Sequence, residues 1–271
     1  MKRHYKGTIK GRVPADGRVL ILKANQLCAA ALGGVVRQVL PRAHCEFSHH
    51  VADAQAKLAA SRVDLMLTGI GRLDGDILDF LSNDVGHSKR APTVLVVTGR
   101  KEPCLLARLW AMPIYGVFDP LGEGLKRFAH ALRSVVAGTP YWSASVLERV
   151  QQHCLSPDSI CRCLTPTEQL VLSVIGDGCD DDTAAKCLGL KPSGVLSVRR
   201  DLHRKLGIHH KGDLVRLAVQ QGFVQLMPDS VDHPGYAALI AAHWSQQNGR
   251  RVGIHRTLCG AEHCGVRLVD D

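Results

Sequence analysis

The stretch that decides the fold is "VLSVRRDLHRKLGI", residues Val195 to Ile208. It combines five side chains that are or can become cationic with aliphatic residues at regular intervals. At 100° per residue, four aliphatic side chains fall on one face of a helix: Val195, Val198, Leu202 and Leu206. The opposite face carries Ser193, Ser197, Arg200 and Arg204, with Leu196 beside them. This pattern fits either a solvated surface helix or a helix that lies in the groove of DNA.

The polar face has the chemistry that reading base pairs requires. Arginine can bridge O6 and N7 of guanine, serine can bond a base edge or a phosphate, and an aliphatic side chain can contact the thymine methyl group. Long cationic side chains on the flanks can pack their stems and extend their charged ends into water. The candidate DNA contacts are therefore Ser193, Leu196, Ser197, Arg199, Arg200 and Arg204, with Lys191 and Lys205 near phosphates.

The sequence around this stretch predicts four short helices. "LTPTE" places Thr165 as an N-cap, Pro166 at the first helical position and Glu168 where it completes a capping box. A second helix follows in "DDDTAAKCLGL", with Asp180 or Asp181 as its N-cap and Gly189 as its end. A third runs from near Pro192 to Gly207, and a fourth is "KGDLVRLAVQQG". The tight turn between the second and third predicts a helix-turn-helix.

Residues 164–224 resemble the DNA-binding domain of the LuxR/NarL family over nearly its full length. The matching motifs are "LTPTE", "DG" before the second helix, "AAKCLGL", Val195, "RKLGI" and "DLVRLAVQQGFV". The resemblance implies four helices, entry of the third into the major groove of double-stranded DNA, and a homodimer that binds paired half-sites.

Two departures from the family pattern keep a second hypothesis open. Gly194-Val195-Leu196 stands where the family usually has Thr-Val-Lys, and Asp182 stands where a cation normally faces phosphate. A carboxylate suits a helix N-terminus but repels the DNA backbone. The alternative is a protein that does not bind DNA and instead sequesters a related regulator as a heterodimer.

The preceding residues alternate strand and helix patterns. "RVLILK", "HCEFSH", "VDLMLT", "PTVLVVT" and "IYGVF" read as five strands, each followed by a helical segment. Such alternation predicts a parallel sheet covered on both faces, with a flavodoxin-like strand order. This α/β domain resembles the receiver domain of response regulators in two-component systems, the usual partner of a LuxR/NarL-type domain.

The resemblance implies chemistry that this chain largely lacks. A receiver needs a carboxylate pair for Mg²⁺, an acceptor Asp, a Thr or Ser, and a Lys. In strand order, these positions hold Lys23 and Ala24, then Gly69, Thr98, and Asp119 or Pro120. Only the hydroxyl position is retained. The sequence therefore predicts an atypical receiver that is not phosphorylated by the usual route and serves in dimerisation, or in sensing a regulatory protein or small ligand.

Composition sets the remaining bounds. The chain has 271 residues, a formal net charge of +9 and ten cysteines. The N-terminus lacks the apolar segment of a secretory signal, and no apolar run is long enough for a membrane span. We therefore expect a cytoplasmic protein with mostly reduced thiols.

The expected segments are a basic arm (1–17), the receiver-like domain (18–138), a linker (139–163), the helix-turn-helix domain (164–224) and a C-terminal extension (225–271).

The C-terminal extension contains a weak metal motif. His255, Cys259, His263 and Cys264 offer zinc-type ligands, but their spacing matches no known zinc finger. We expect a tail without bound metal. No nucleophile–base set or phosphate-binding glycine motif stands out, so the sequence predicts neither a cofactor nor an enzyme.

Overall fold

The computed structural model describes residues 12–71, 74–85, 91–154, 156, 159–227 and 230–248, and the backbone of 254–255 and 267–268. The chain divides into two compact units. The first comprises residues up to Lys101 together with Arg108–Gln152, and the second comprises Glu102–Ala107 together with the residues from His153 onward.

The first unit is built on a parallel sheet. Its strands are β1 (Arg18–Leu22), β2 (His44–Ser48), β3 (Leu65–Thr68), β4 (Thr93–Val97), β5 (Gly116–Phe118) and β6 (Tyr141–Trp142). They follow the order β2-β1-β3-β4-β5-β6 and pair in parallel throughout. The β3 and β4 residues are buried on both faces, as the continuous aliphatic runs predict.

Helices alternate with these strands along the chain. They are α1 (Gln26–Val39), α2 (Val51–Ala60), α3 (Ile77–Phe80), α4 (Pro103–Ala111), α5 (Leu125–Val136) and α6 (Ala144–Arg149). Short π-helical turns continue α3 and α6, over Leu81–Val85 and Val150–Cys154. Alternate strand residues such as Ile21, Leu67 and Leu95 form one core with the apolar faces of α1 and α5. The first residues of α4, up to Ala107, belong to the second unit.

The predicted fold class is confirmed, but the number of strands is corrected. The sheet has six strands rather than five, because Tyr141–Trp142, expected in the linker, adds a short parallel strand beside β5. Gly116 permits this pairing, since a Cβ atom there would overlap the Tyr141 carbonyl oxygen. A two-residue strand is too short for alternation to reveal it in the sequence.

The second unit is mainly helical. It contains α7 (Ile160–Cys163), α8 (Pro166–Ile175), α9 (Asp181–Leu188), α10 (Pro192–Leu206), α11 (Lys211–Gln221) and α12 (Tyr236–Asn248). Two antiparallel strand pairs follow the predicted domain, β7 (Gln225–Leu226) with β8 (Val231–Asp232), and β9 (Ile254–His255) with β10 (Arg267–Leu268). The four predicted helices are α8 to α11, and α12 of the C-terminal extension packs on α8.

The helix boundaries in this unit follow the predicted signals. Thr165 and Glu168 form the capping box of α8, and Asp180 caps α9 by accepting from the backbone N–H of Thr183 at 2.8 Å. Gly189 and Gly207 end α9 and α10 with φ of +62° and +64°, which favours glycine. No helix in the described part of the chain has the length and hydrophobicity to span a bilayer.

Most described cysteines are not in disulfides, as expected, with one exception. Cys104 and Cys161, both in the second unit, are joined by a disulfide. Six others are not bridged, and these are Cys28, Cys45, Cys154, Cys163, Cys179 and Cys187.

Candidate nucleic-acid interface

The inner face of α10 anchors this helix in the second unit. Val195 and Leu202 are completely buried in the core formed with α8, α9 and α11, and Val198 and Leu206 pack against it. Pro192 opens the helix at a position where its missing N–H costs nothing. The apolar face therefore lies where the periodicity predicts it.

The outer face of α10 is open to solvent within the described structure. Its exposed residues are Ser193, Leu196, Ser197, Arg200 and Arg204. They recur at intervals of three and four residues, so they form one continuous face along the helix. Leu196 exposes 37% of its surface and is the large aliphatic residue of this face.

The two arginines of the outer face differ in their partners. The Arg204 guanidinium lies 2.7 Å from the Asp201 carboxylate, but both side chains are exposed, at 76% and 43%. Such a surface pair is worth little, so an incoming phosphate or guanine can replace it. Arg200 is exposed and forms no ion pair with any carboxylate of the described residues.

Arg199 points away from the outer face. Its guanidinium lies 2.6 Å from the Asp181 carboxylate of α9, and both side chains are mostly buried, at 16% and 24% exposure. This ion pair connects the two helices of the helix-turn-helix. The charge of Asp181 is thereby paired with that of Arg199. Asp180 and Asp182 are both exposed, and of these two Asp180 caps the start of α9.

Lys205 is also engaged within the unit. Its ammonium lies 2.8 Å from the nearly buried carboxylate of Glu168, the residue that completes the α8 capping box. Burial alone would raise the pKa of Glu168, but the hydrogen bonds from Lys205 and Thr165 outweigh it and hold the pKa below its ordinary value. Lys191, by contrast, is exposed at the N-terminus of α10.

Sequence reasoning missed these two interhelical pairs. The sequence predicts Glu168 only as part of a capping box and Asp181 only as one of two possible N-caps. Their partners lie 37 and 18 positions further along the chain. No local pattern marks contacts at that separation.

The receiver-like positions meet at the carboxyl edge of the sheet in the first unit. Lys23 and Ala24 follow β1, Gly69 follows β3, Thr98 follows β4 and Asp119 follows β5. This is where an open α/β sheet carries its site. The positions assigned from the sequence therefore lie together.

Lys23 fills the centre of this edge. From the end of β1 it extends across β3, and its ammonium donates a hydrogen bond to the Val97 carbonyl at the end of β4, at 2.8 Å. A Cβ atom at Gly69 would lie 2.5 Å from the Lys23 Nζ atom. Burial lowers the pKa of Lys23.

Polar residues that follow the neighbouring strands β4 and β5 also have partners within the protein. Asp119 is fully buried and its carboxylate lies 2.7 Å from the Lys101 ammonium. It also accepts hydrogen bonds from Ser145 Oγ at 2.8 Å and the Leu121 backbone N–H at 3.0 Å. Burial would raise the pKa of Asp119, but these bonds outweigh it and lower the pKa. The retained hydroxyl of Thr98 accepts from the Arg100 backbone N–H at 3.2 Å.

These residues do not fit Mg²⁺. The ion takes carboxylate and other oxygen ligands, whereas an ammonium group occupies the place between β1, β3 and β4. Within the described ranges, no three His, Cys, Asp or Glu side chains lie close enough together to hold a metal. The tail candidates Cys259, His263 and Cys264 lie outside the described residues, and of His255 only the backbone is described.

RcsB is among the proteins whose solved structures have a similar fold. RcsB from Salmonella enterica serovar Typhimurium, solved on promoter P1flhDC with the phosphomimetic BeF3⁻, matches with a TM-score of 0.53 and 16% identity, over 76% of this chain and 98% of RcsB. The same protein on promoter rprA matches with a TM-score of 0.51 and 17% identity, over 75% and 98%. No protein-family model matches the chain, and no curated protein sequence is similar to it. At this identity the likeness shows the fold, a receiver-type sheet followed by a helix-turn-helix.

Proposed function

We propose that this chain is a cytoplasmic DNA-binding transcriptional regulator of the LuxR/NarL type. A homodimer presents two copies of α10 to successive major grooves of double-stranded DNA. The observation that carries the proposal is the outer face of α10, which is exposed, polar and cationic on a helix whose opposite face is buried. The shared fold supports it, because RcsB is a protein solved on promoter DNA.

We assign the DNA contacts to exposed side chains that are not held by a buried or mostly buried carboxylate. Arg200 and Arg204 bond guanine edges, while Ser193 and Ser197 reach base edges or phosphates. Leu196 contacts a thymine methyl group, and Lys191 lies near a phosphate. Since Arg199 and Lys205 are engaged with Asp181 and Glu168, we assign them the role of holding α10 in place.

The first unit acts without phosphorylation. The Lys23 ammonium stands in place of the metal and above Gly69, where an acceptor carboxylate would be needed. Dimerisation, or recognition of a regulatory protein or small ligand, remains the role we propose for it.

The alternative is an interaction protein that captures a related regulator and does not bind DNA. Two observations favour it: Asp182 is exposed near the expected DNA backbone, and Leu196 offers an apolar contact. The exposed outer-face arginines oppose it, since the heterodimer assigns them no role.

Selection of genomic DNA fragments by the purified chain separates the two proposals. The fragments retained at moderate salt are tested individually by gel shift against scrambled competitors. A regulator yields a recurring motif with two half-sites, and its affinity falls as salt rises. Fragments without a shared motif, with affinity equal to that of the competitors, would instead leave the interaction protein as the better account.

A further inference from the structure

Cys104 and Cys161 are brought together from distant parts of the sequence. They lie 57 positions apart, with their Cα atoms 5.6 Å from each other, and both belong to the second unit. Disulfides need Cα separations of about 4.4–6.8 Å. Cys104 is buried in the core of this unit, whereas Cys161 is partly exposed. One cysteine of the pair is therefore buried and the other is partly exposed.

The other cysteines in this region have different environments. Cys154 is buried and its thiol donates to the Pro103 carbonyl at 3.0 Å. Burial raises the pKa of Cys154 to about 11, so it is protonated near neutral pH and is a poor nucleophile. Cys163 is exposed on the same short helix as Cys161. It is a natural control for reactivity that depends on exposure alone.

We propose that Cys104 and Cys161 form a reversible redox site that exchanges with small-molecule disulfides of the glutathione class. Reversibility rests on the proposed function, because a cytoplasmic disulfide is usually transient and regulatory rather than structural. The site itself follows from the geometry.

The exchange proceeds in two balanced steps. The Cys161 thiolate attacks one sulfur of oxidised glutathione, which forms a mixed disulfide and releases one reduced glutathione. The Cys104 thiolate then attacks the Cys161 sulfur and releases the second. The two cysteines lose two protons and two electrons, and two glutathione thiols carry them away.

The bond matters because it anchors α7. This helix has only four residues, and its N-cap Ser159 makes no side-chain cap bond. Helices this short do not persist alone. Gln169 of α8 donates hydrogen bonds to the Cys161 and Leu164 carbonyls, both at 3.0 Å, and the disulfide adds a covalent attachment. Reduction removes that attachment just before the capping box of α8.

The site is tested on the full chain, without DNA. The protein is equilibrated in glutathione buffers of graded oxidation, trapped with an alkylating reagent and mapped by peptide mass spectrometry. We expect a Cys104–Cys161 linked peptide that rises and falls reversibly with the buffer. Cys104→Ser and Cys161→Ser should abolish it, and Cys163→Ser should leave it unchanged. A linked fraction that is constant across all buffers, or a link to a different cysteine, would overturn the proposal.

Hydrogen exchange provides a second measurement. The amides of Cys163 and Leu164, which donate to Ser159 and Ile160, should exchange faster in the reduced protein and in Cys104→Ser. Equal exchange in both redox states would refute the anchoring of α7. Neither readout depends on DNA binding, so failure of this proposal and failure of the proposed function remain distinguishable.

Discussion

At the scale of single residues, Lys23 sets what the first unit can bind. Its ammonium spans from β1 to the Val97 carbonyl and covers Gly69, so a cation of the protein itself occupies the edge where a receiver would bind metal. Substituting a carboxylate at position 69 alone would not restore a metal site, because the lysine would pair with it. Compared with a receiver, this edge lacks the acceptor carboxylate and also carries the positive charge of Lys23.

The chain should therefore give no aspartyl phosphate. Incubation with acetyl phosphate and Mg²⁺ should leave its intact mass unchanged, and beryllofluoride should produce no saturable spectroscopic shift. A receiver with the full set of carboxylates, treated in parallel, serves as the positive control. A stable adduct on an aspartate of this chain would show that phosphorylation proceeds by a route the Lys23 geometry does not allow.

Lys205 should matter for stability more than for contact with DNA. Lys205→Met leaves the nearly buried Glu168 carboxylate without its ammonium partner, and we expect a loss of about 1–3 kcal/mol in unfolding free energy near neutral pH. Because the pKa of Glu168 is lowered in the fold, its contribution is present above the unfolded pKa and is lost as pH falls through the folded pKa. The deficit of the variant should therefore shrink in acid.

Urea unfolding followed by helical circular dichroism, at neutral and at acidic pH, measures this effect. Arg216→Met is the matched control, because Arg216 pairs with Asp213 at 3.1 Å on the surface, with 70% of its side chain exposed. Such a pair contributes little. An equal loss in both variants, or a Lys205 deficit that does not change with pH, would show that the Glu168 pair does not stabilise the unit.

At the scale of elements, local signals were sufficient where a cap or a buried run marks a boundary. Pro192 and Gly207 delimit α10, and the aliphatic runs locate the inner strands, because each depends on backbone chemistry or burial within a few residues. The sequence could not reveal β6, the Arg199–Asp181 pair or the Lys205–Glu168 pair. Each of these arises when distant segments meet in the fold.

Gly116 is the residue on which β6 depends. Gly116→Ala should destabilise the first unit by about 1–3 kcal/mol, because the new methyl group would overlap the Tyr141 carbonyl oxygen and force the strands apart. Gly34→Ala is the control, for which we expect a gain in stability instead of a loss. Gly34 lies within α1, and no atom lies within 4 Å of the position that a Cβ atom would take. Alanine there should stabilise the helix by about 0.5–1 kcal/mol.

The stability of both variants is measured as the midpoint of urea unfolding, monitored by tryptophan fluorescence. Part of the signal reports on β6, since the ring of Trp142 in β6 packs edge-on against Trp110 with centroids 4.9 Å apart, whereas the third tryptophan, Trp244, belongs to α12. A Gly116→Ala midpoint at or above that of the unmodified chain would mean that β6 does not depend on the close approach.

At the scale of the whole molecule, charge arrangement matters more than total charge. The formal net charge is +9, yet residues 164–223 carry eight lysines and arginines against seven acidic residues. The structure uses part of that charge inside the unit, in the Arg199 and Lys205 pairs. On the outer face of α10, the cations that remain exposed are Arg200 and Arg204. We therefore expect specificity to depend on very few side chains.

The most direct test of the central claim is the affinity of Arg200→Ala/Arg204→Ala for a DNA site selected by the unmodified chain. Each arginine that bonds a guanine is worth about 1–3 kcal/mol of discrimination, so the double variant should bind the selected site no better than scrambled DNA. Lys211→Ala/Arg216→Ala removes the same charge from exposed positions of α11 and should retain discrimination. Undiminished preference for the selected site in the α10 variant, with its fold intact by circular dichroism, would contradict the account.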